Sequence, residues 1–311
     1  MNILVLGGTG FLGAYVVEFL IKGGKKVSVL TRHPGKKSCP YNPTFIQGDL
    51  LNDGAIDFSE YTHVINCAGE VVHEHLMEEL HVNSVKRIFA TIKQNAYKIH
   101  WIQISSVGVY GKVSSGLVVE NSPFAPIGVY EKTKAEAELW IKDFCSKNAL
   151  NYTIIRPSNV FGCGMPNQSL AQLISMINRK LFVYIGYKSE GIVMNYVPVE
   201  DVAHLISLCL NNENALNQEF IISDQLALEE FVSLVCKELG IQNKFPKVPE
   251  FIIRFMAQFS AFIPKIPLKP SRVDALTRRV QYSTQQASTL LNYVPSLGFS
   301  TAMKNYIRSL K

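Results

Sequence analysis

The stretch Gly7-Gly8-Thr9-Gly10-Phe11-Leu12-Gly13 follows directly on the apolar run Ile3–Leu6 and opens a helical pattern over 11–23. In that setting Gly7 permits a tight turn, Gly10 lets the backbone approach a pyrophosphate, and Gly13 allows a helix to lie close on its strand. The start of the helix offers unpaired N–H groups and partial positive charge to phosphates. Glycine turns are common, but one set between an apolar strand and an amphipathic helix reads as a dinucleotide site. Thr9, Phe11 and Leu12 belong to the same loop and are assigned with it.

Outward from this loop the first 160 residues alternate apolar runs with helical patterns. Candidate strands are Ile3–Leu6, Lys26–Thr31, Thr44–Gln47, His63–Asn66, Trp101–Ser105 and Tyr152–Arg156, and candidate helices cover 11–23, 76–97 and 131–147. Strands apolar on both faces and separated by helices imply a parallel sheet covered on both sides. After Pro157 the rhythm changes to glycine-containing loops, with a further strand at Glu219–Ser223, a helix at 227–239 and five prolines between 246 and 270. The fold class expected is α/β, a Rossmann-type doubly wound parallel sheet with a smaller interleaved C-terminal substrate region. Residues 1–160 with about 195–225 form the dinucleotide part, and about 161–194 with 226–311 the substrate part.

Composition narrows the function classes. Of 311 residues, 47% are hydrophobic and 18% charged, enough for a packed core and against disorder. No apolar run approaches the roughly 18 residues of a membrane span, and the start lacks a signal-peptide pattern. The six cysteines are scattered, without a paired motif, so neither metal nor disulfide framework is expected, and the reading is a cytoplasmic protein. His73, His75 and His81 have no accompanying ligand set and read as polar loop and helix residues. Net charge is +6, but residues 251–311 carry nine basic residues against Asp274 alone. That basic excess suits an anionic ligand if it faces a cleft, and reads otherwise as a solvated surface; no nucleic-acid motif accompanies it. Within it, Phe251–Ile263 is apolar and is expected to pack on the domain rather than lie on a membrane.

The second strand bears on the cofactor. NAD sites of this type usually place a carboxylate at its end, about 20 residues past the glycines. Here Thr31-Arg32 stands there, with His33, Lys36 and Lys37 beyond. A guanidinium can hold a 2′-phosphate that a carboxylate would repel, which favours NADP over NAD. The other reading is that Arg32 stacks on adenine and either cofactor binds.

Tyr130-Glu131-Lys132-Thr133-Lys134 sets a phenol and an ammonium one helical turn apart. The ammonium is expected to lower the phenol's pKa and ease proton transfer. Ser105-Ser106 ends the preceding strand, where a hydroxyl can bind an oxygen undergoing chemistry.

With these motifs the sequence resembles the extended short-chain dehydrogenase/reductase family of nucleotide-sugar epimerases, dehydratases and reductases. Gly48-Asp49-Leu50, Asn83, the segments 105–111, 156–162 and 196–203, and Tyr282-Ser283-Thr284 extend the resemblance over most of the chain. It implies Tyr130 as acid/base, Lys134 on the nicotinamide ribose, and Ser106 on the reacting oxygen, with Ser105 beside it. It further implies Asp49 and Leu50 at the adenine, Cys67-Ala68-Gly69 along the cofactor, and Pro157-Ser158-Asn159-Val160 at the nicotinamide face, Asn159 also touching substrate. Asn83 would steady the catalytic helix, and the helices 76–97 and 131–147 would pair with a second copy as a four-helix bundle.

Departures narrow the implied chemistry. Val107-Gly108 supplies neither the Asp-Glu pair of a 4,6-dehydratase nor the Cys and His of a 3,5-epimerase. What remains is net ketone reduction or 4-epimerisation, with a nucleotide sugar as the expected substrate. Met194 stands where an arginine often grips the diphosphate, so Arg272 is the candidate for that contact. The alternatives are a ketone reductase of the sterol or flavonoid type and a non-catalytic NADP-binding regulator.

Overall fold

The computed structural model describes residues 1–34, 41–52, 56–94, 98–186, 191–259, 273–274 and 276–310. In chain order the first half comprises β1 (Asn2–Leu6), α1 (Phe11–Lys22), β2 (Lys26–Thr31), β3 (Thr44–Gln47), β4 (His63–Asn66), α2 (Glu74–Glu78), a π turn (Glu79–Asn83), α3 (Ser84–Gln94) and β5 (His100–Ile104). A 3-10 turn (Val107–Tyr110), β6 (Ser115–Val118), α4 (Val129–Asn148) and β7 (Asn151–Pro157) complete it. The second half runs β8 (Asn159–Phe161), α5 (Ser169–Asn178), β9 (Tyr184–Ile185), β10 (Val193–Pro198), α6 (Val199–Cys209), β11 (Gln218–Ile222), β12 (Asp224–Ala227) and α7 (Leu228–Leu239). It ends with β13 (Lys247–Val248), α8 (Glu250–Phe259), β14 (Arg279–Tyr282), α9 (Gln285–Leu291) and α10 (Phe299–Ser309).

Seven strands form one sheet in the order β11-β7-β5-β4-β1-β2-β3, every neighbour parallel. Strands β1, β4 and β5 are buried almost throughout, as strands sandwiched between helices must be. One face packs on α1 and α6 through Val16, Val17, Leu20, Val202 and Ile206. The other packs on α3 and α4 through Val85, Phe89, Ile92 and Ile141. The chain leaves β1 toward β2 and later returns to β4 on the other side, so a crevice opens at their carboxyl ends, the usual ligand site of such sheets.

The half beyond Pro157 is more regular than the sequence reading expected. Helices α5 and α6 and strand β10 occupy what read as loop. In α6 the buried residues Val202, Leu205, Ile206 and Cys209 recur at helical spacing. A second core gathers α5, α7 and α10 around Phe161, Ile174, Phe231 and Met303.

Helix α8 packs inward through Ile253 and Ala257 and turns Phe251, Ile252, Phe255 and Met256 outward. Residues 260–263 of the apolar segment 251–263 lie outside the described residues.

Candidate active site

The loop after β1 has the tight geometry its glycines suggested. Gly7 has φ +70°, and a Cβ there would lie 2.7 Å from the Ala68 backbone; one on Gly13 would collide with the Gly7 carbonyl oxygen. Helix α1 begins at Gly10 with no side-chain cap and no acidic residue in its first turn. Its N-terminal field therefore meets no protein anion, which suits a pyrophosphate. Phe11 and Leu12, both half-buried, pack their side chains against the two cores.

Further along the sheet edge, Arg32 is exposed beyond β2. Asp49 Oδ1 accepts from the Leu51 N–H at 3.1 Å, and the Leu50 carbonyl accepts from Arg87 at 2.8 Å. The buried hydroxyls of Ser105 and Ser158 have no hydrogen-bond partner among the described residues. Such orphaned buried groups are costly unless something binds them. Together with the glycine cradle, they fit a dinucleotide lying across the carboxyl ends of the sheet.

The cavity at this end measures about 560 Å³. Ser106, Tyr130, Ser158 and Asn159 line it, and so does Met194. Ser106 Oγ accepts from the Gly108 N–H at 3.0 Å and caps the short 3-10 turn. Asn159 donates to the Asn195 carbonyl at 2.9 Å, and the buried Asn195 Oδ1 has no partner among the described residues. Pro157 closes β7, while Val160 packs on the sheet-side core.

Two expectations about α4 are corrected. Burial, reinforced by the Glu131 carboxylate, pushes the Tyr130 phenol up to about 12 instead of lowering it. The Lys134 Nζ lies 5.9 Å from the centre of the phenol ring and donates to the Ile104 carbonyl at 3.0 Å, too indirect a contact to overcome desolvation. Burial lowers Lys134 itself to about 8, against opposing pulls from Cys67 and Glu138, and raises the Cys67 thiol to about 12. Asn83, expected to steady this helix, instead donates to Glu79 Oε2 at 2.8 Å within its own π turn. Glu79 in turn pairs with Arg87, which holds the Leu50 carbonyl.

The residue that does reach α4 from the π turn is His81. It is a helix residue, as read, and buried, and its ring stands edge-on to Tyr130 with centroids 5.6 Å apart. Its isolated position in sequence gave no signal of this.

Arg156, another buried group, ties three elements together. Its Nη2 donates to Glu138 Oε2 on α4 at 2.6 Å, and its Nη1 to the Tyr110 hydroxyl at 2.7 Å and the Glu120 carbonyl at 2.8 Å. Arg156 and Glu138 are 1% and 0% exposed, and this pairing keeps the guanidinium charged. The bond network fixes the angle between β7, α4 and the Ser106 segment.

The opposite side of the cavity comes from the second half. Leu173, Met176, Phe182, Ile185 and Ile253 line it, with Arg278 and Lys112 as cations at its margin. Arg278 was not singled out in the sequence, and Arg272, which was, lies outside the described residues. The segment 70–76 is absent from the cavity's lining. No group of side chains suited to a metal ion occurs among the described residues, and no described helix is long and apolar enough to cross a membrane.

The profile of the NAD dependent epimerase/dehydratase family matches residues 3–223. The chain belongs to that family. It is accordingly an enzyme of the extended short-chain type built for NAD(P)-dependent hydride transfer, which sets aside the reading as a non-catalytic regulator. Among similar proteins, the UDP-glucose 4-epimerase of Vibrio cholerae is 27% identical over 94% of this chain and 90% of its own. The mouse sterol-4-alpha-carboxylate 3-dehydrogenase, decarboxylating, is 27% identical over 98% of this chain and 90% of its own. The fold matches the UDP-glucuronic acid 4-epimerase of Bacillus cereus in complex with NAD, at TM-score 0.76 and 20% identity, covering 100% of this chain and 97% of that one.

Proposed function

We propose that this enzyme transfers hydride at a sugar carbon of a nucleotide sugar, by 4-keto reduction or by 4-epimerisation through a transient ketone. The observation that carries the reading is the joint presence of Ser106 and Tyr130 on one cavity wall, with Lys134 buried behind them. The nicotinamide, when bound, gives or takes the hydride. Tyr130, a neutral phenol at neutral pH, donates its proton to the carbonyl oxygen in the reducing direction; in the oxidising direction it would take the alcohol proton as the phenolate left by that transfer. Ser106 Oγ holds that oxygen, and Lys134, anchored to the Ile104 carbonyl, places its charge behind the site. Gly7, Thr9, Gly10, Phe11, Leu12 and Gly13 hold the pyrophosphate, and Asp49 and Leu50 meet the adenine. Cys67, Ala68 and Gly69, with Ser105 and the segment Pro157–Val160, line the rest of the cofactor's path, and Asn159 also touches substrate. Arg32 selects NADP over NAD. Arg278 meets the substrate diphosphate, the part the sequence reading gave to Arg272.

We further assign residues 1–160 with about 195–225 to the cofactor and 161–194 with 226–311 to the substrate. The helices α2, α3 and α4 pair with a second copy; Leu139, 59% exposed on α4, supports this. A cytoplasmic setting suits the free thiols of Cys67, Cys145, Cys163, Cys209 and Cys236.

The apolar far wall supports a second reading, reduction of a ketone on an apolar ring system. One experiment separates the two. UDP-glucose, UDP-galactose and a panel of cyclic ketones are each incubated with protein and NADP(H), and products are followed by NMR. Sugar turnover that falls about 10²–10⁴-fold in Tyr130→Phe supports the first reading; reduction of ring ketones alone would replace it with the second.

A further inference from the structure

The π turn Glu79–Asn83 interrupts an otherwise continuous helix, and such turns are commonly retained where a side chain must be re-aimed. Here it carries His81 against the catalytic helix. Both ring nitrogens are engaged. The Glu70 N–H donates to Nε2 at 2.9 Å, which fixes the proton on Nδ1, and Nδ1 lies 2.8 Å from Thr133 Oγ1. The Thr133 hydroxyl then donates to the Tyr130 carbonyl at 3.1 Å. One neutral imidazole thus joins the loop after β4 to the helix turn that bears Tyr130, and its edge contact fixes the phenol ring.

The surroundings leave no other protonation state. A Cβ added to Gly69 would lie 3.5 Å from Lys134 Nζ and 3.7 Å from His81 Nε2, so the ammonium and the imidazole flank one point. An imidazolium would lose the Glu70 N–H and face the Lys134 charge. The carboxylate of Glu70 does not compensate, because it accepts from the N–H groups of Val71, Val72 and His73. Tyr130 and Thr133 complete the set of groups facing the ring, and burial with the Lys134 charge holds His81 down to about 3.

We infer that His81 is a positioning residue that, as the Nδ1–H tautomer, holds Tyr130 in register with Ser106 by clamping Thr133 to the Glu70 backbone. This rests on Tyr130 being the acid/base of the proposed function. Displacing a catalytic group by about 1 Å can cost roughly a hundredfold in rate, so the clamp should affect kcat more than binding.

The test compares His81→Phe, which keeps a ring edge but no hydrogen bonds, with His81→Gln, whose amide can accept from Glu70 and donate to Thr133. Tyr130→Phe runs in parallel. In the wild type, long-range ¹H–¹⁵N correlation should show His81 as the neutral Nδ1–H tautomer at pH 6, and the Glu70 amide should exchange slowly. His81→Phe should accelerate Glu70 exchange and lower kcat about 10–100-fold on the active substrate of the panel above, with NADPH affinity unchanged within about threefold; His81→Gln should recover much of kcat. An Nε2–H tautomer, a wild-type kcat in His81→Phe, or equal losses of kcat and NADPH affinity without rescue would overturn the inference. A fully active Tyr130→Phe would instead overturn the acid/base reading on which it stands.

Discussion

On one side of the cavity, Ser106, Tyr130 and Asn159 stand on a scaffold of buried polar bonds, with Arg156–Glu138 and His81–Thr133 beneath them. On the other, Leu173, Phe182, Ile185 and Ile253 meet mainly by apolar packing. Polar networks are directional, so a single arrangement satisfies them. Apolar packing fixes volume and tolerates exchange of one side chain for another of similar size. The contrast fits a division in which the polar wall keeps the reacting geometry constant while the apolar wall decides what is admitted.

The largest effect should come from breaking the polar wall at its centre. Arg156→Met leaves the Glu138 carboxylate buried and unpaired, and removes two further donors from the Tyr110 hydroxyl and Glu120 carbonyl. Loss of one partner of a buried pair typically costs about 3–5 kcal/mol. Urea unfolding should show that loss, whereas Leu173→Met, a volume-conserving change on the apolar wall, should cost less than about 1.5 kcal/mol. Equal costs would remove the distinction between the walls.

Acid should divide the halves as well. All seven histidines of the chain lie outside 161–194 and 226–311. Burial lowers His63 and His100 to about 4 and His81 to about 3, from an ordinary 6.5. Between those values the unfolded chain binds more protons than the folded one, so their contribution is complete above pH 6.5 and is lost as pH falls through 4 toward 3. Hydrogen exchange at pH 5 against pH 7, corrected for intrinsic rates, should show β4, β5 and the π turn opening before α5 and α7. Uniform loss of protection would contradict this.

The polar wall's Ser106 and Tyr130 were legible in the sequence because each falls in a short ordered motif, Ser105-Ser106 and Tyr130 with Lys134. The six strands read from the first half match β1, β2, β3, β4, β5 and β7 closely, since short apolar stretches such as Val64-Ile65 and Phe45-Ile46 stand between turn and helix patterns even where, as in β3, the strand is only half-buried. His81 was missed because its partners, Glu70 and Thr133, are 11 and 52 residues away. The Tyr130 pKa was misjudged for a related reason: charge spacing is visible in a helix, but desolvation is not. The apolar wall assembles from α5, β9, β10, α8 and β14, whose meeting no local pattern announces.

At the edge of the cavity, Arg278 brings a charge to the otherwise apolar wall. Arg278 lies among apolar neighbours, half-buried, where a diphosphate would need a cation. Hydrogen bonds to charged groups contribute about 1.5–3 kcal/mol, so Arg278→Met should raise KM for an active nucleotide sugar about 10–100-fold, leaving NADPH affinity unchanged. A normal KM would return Arg278 to the surface and leave the diphosphate without its assigned partner.

The smallest effect concerns the cofactor's far end, away from both walls. Arg32 follows Thr31 at the end of β2, exposed, with no carboxylate at the position where NAD sites usually carry one. An exposed guanidinium gains little from a lone carboxylate, but a 2′-phosphate carries close to two charges and accepts paired hydrogen bonds. Wild-type protein should therefore bind NADPH more tightly than NADH, by about tenfold, and Arg32→Ala should narrow the gap by weakening NADPH alone. Calorimetric titration of both cofactors against both proteins separates the possibilities. Equal wild-type affinities would mean that Arg32 stacks on adenine and reads no phosphate; an equal loss for both cofactors in the variant would mean the same. Neither outcome would disturb Tyr130 or the cavity, because Arg32 follows β2 and is absent from the cavity's lining, while Tyr130 stands on α4.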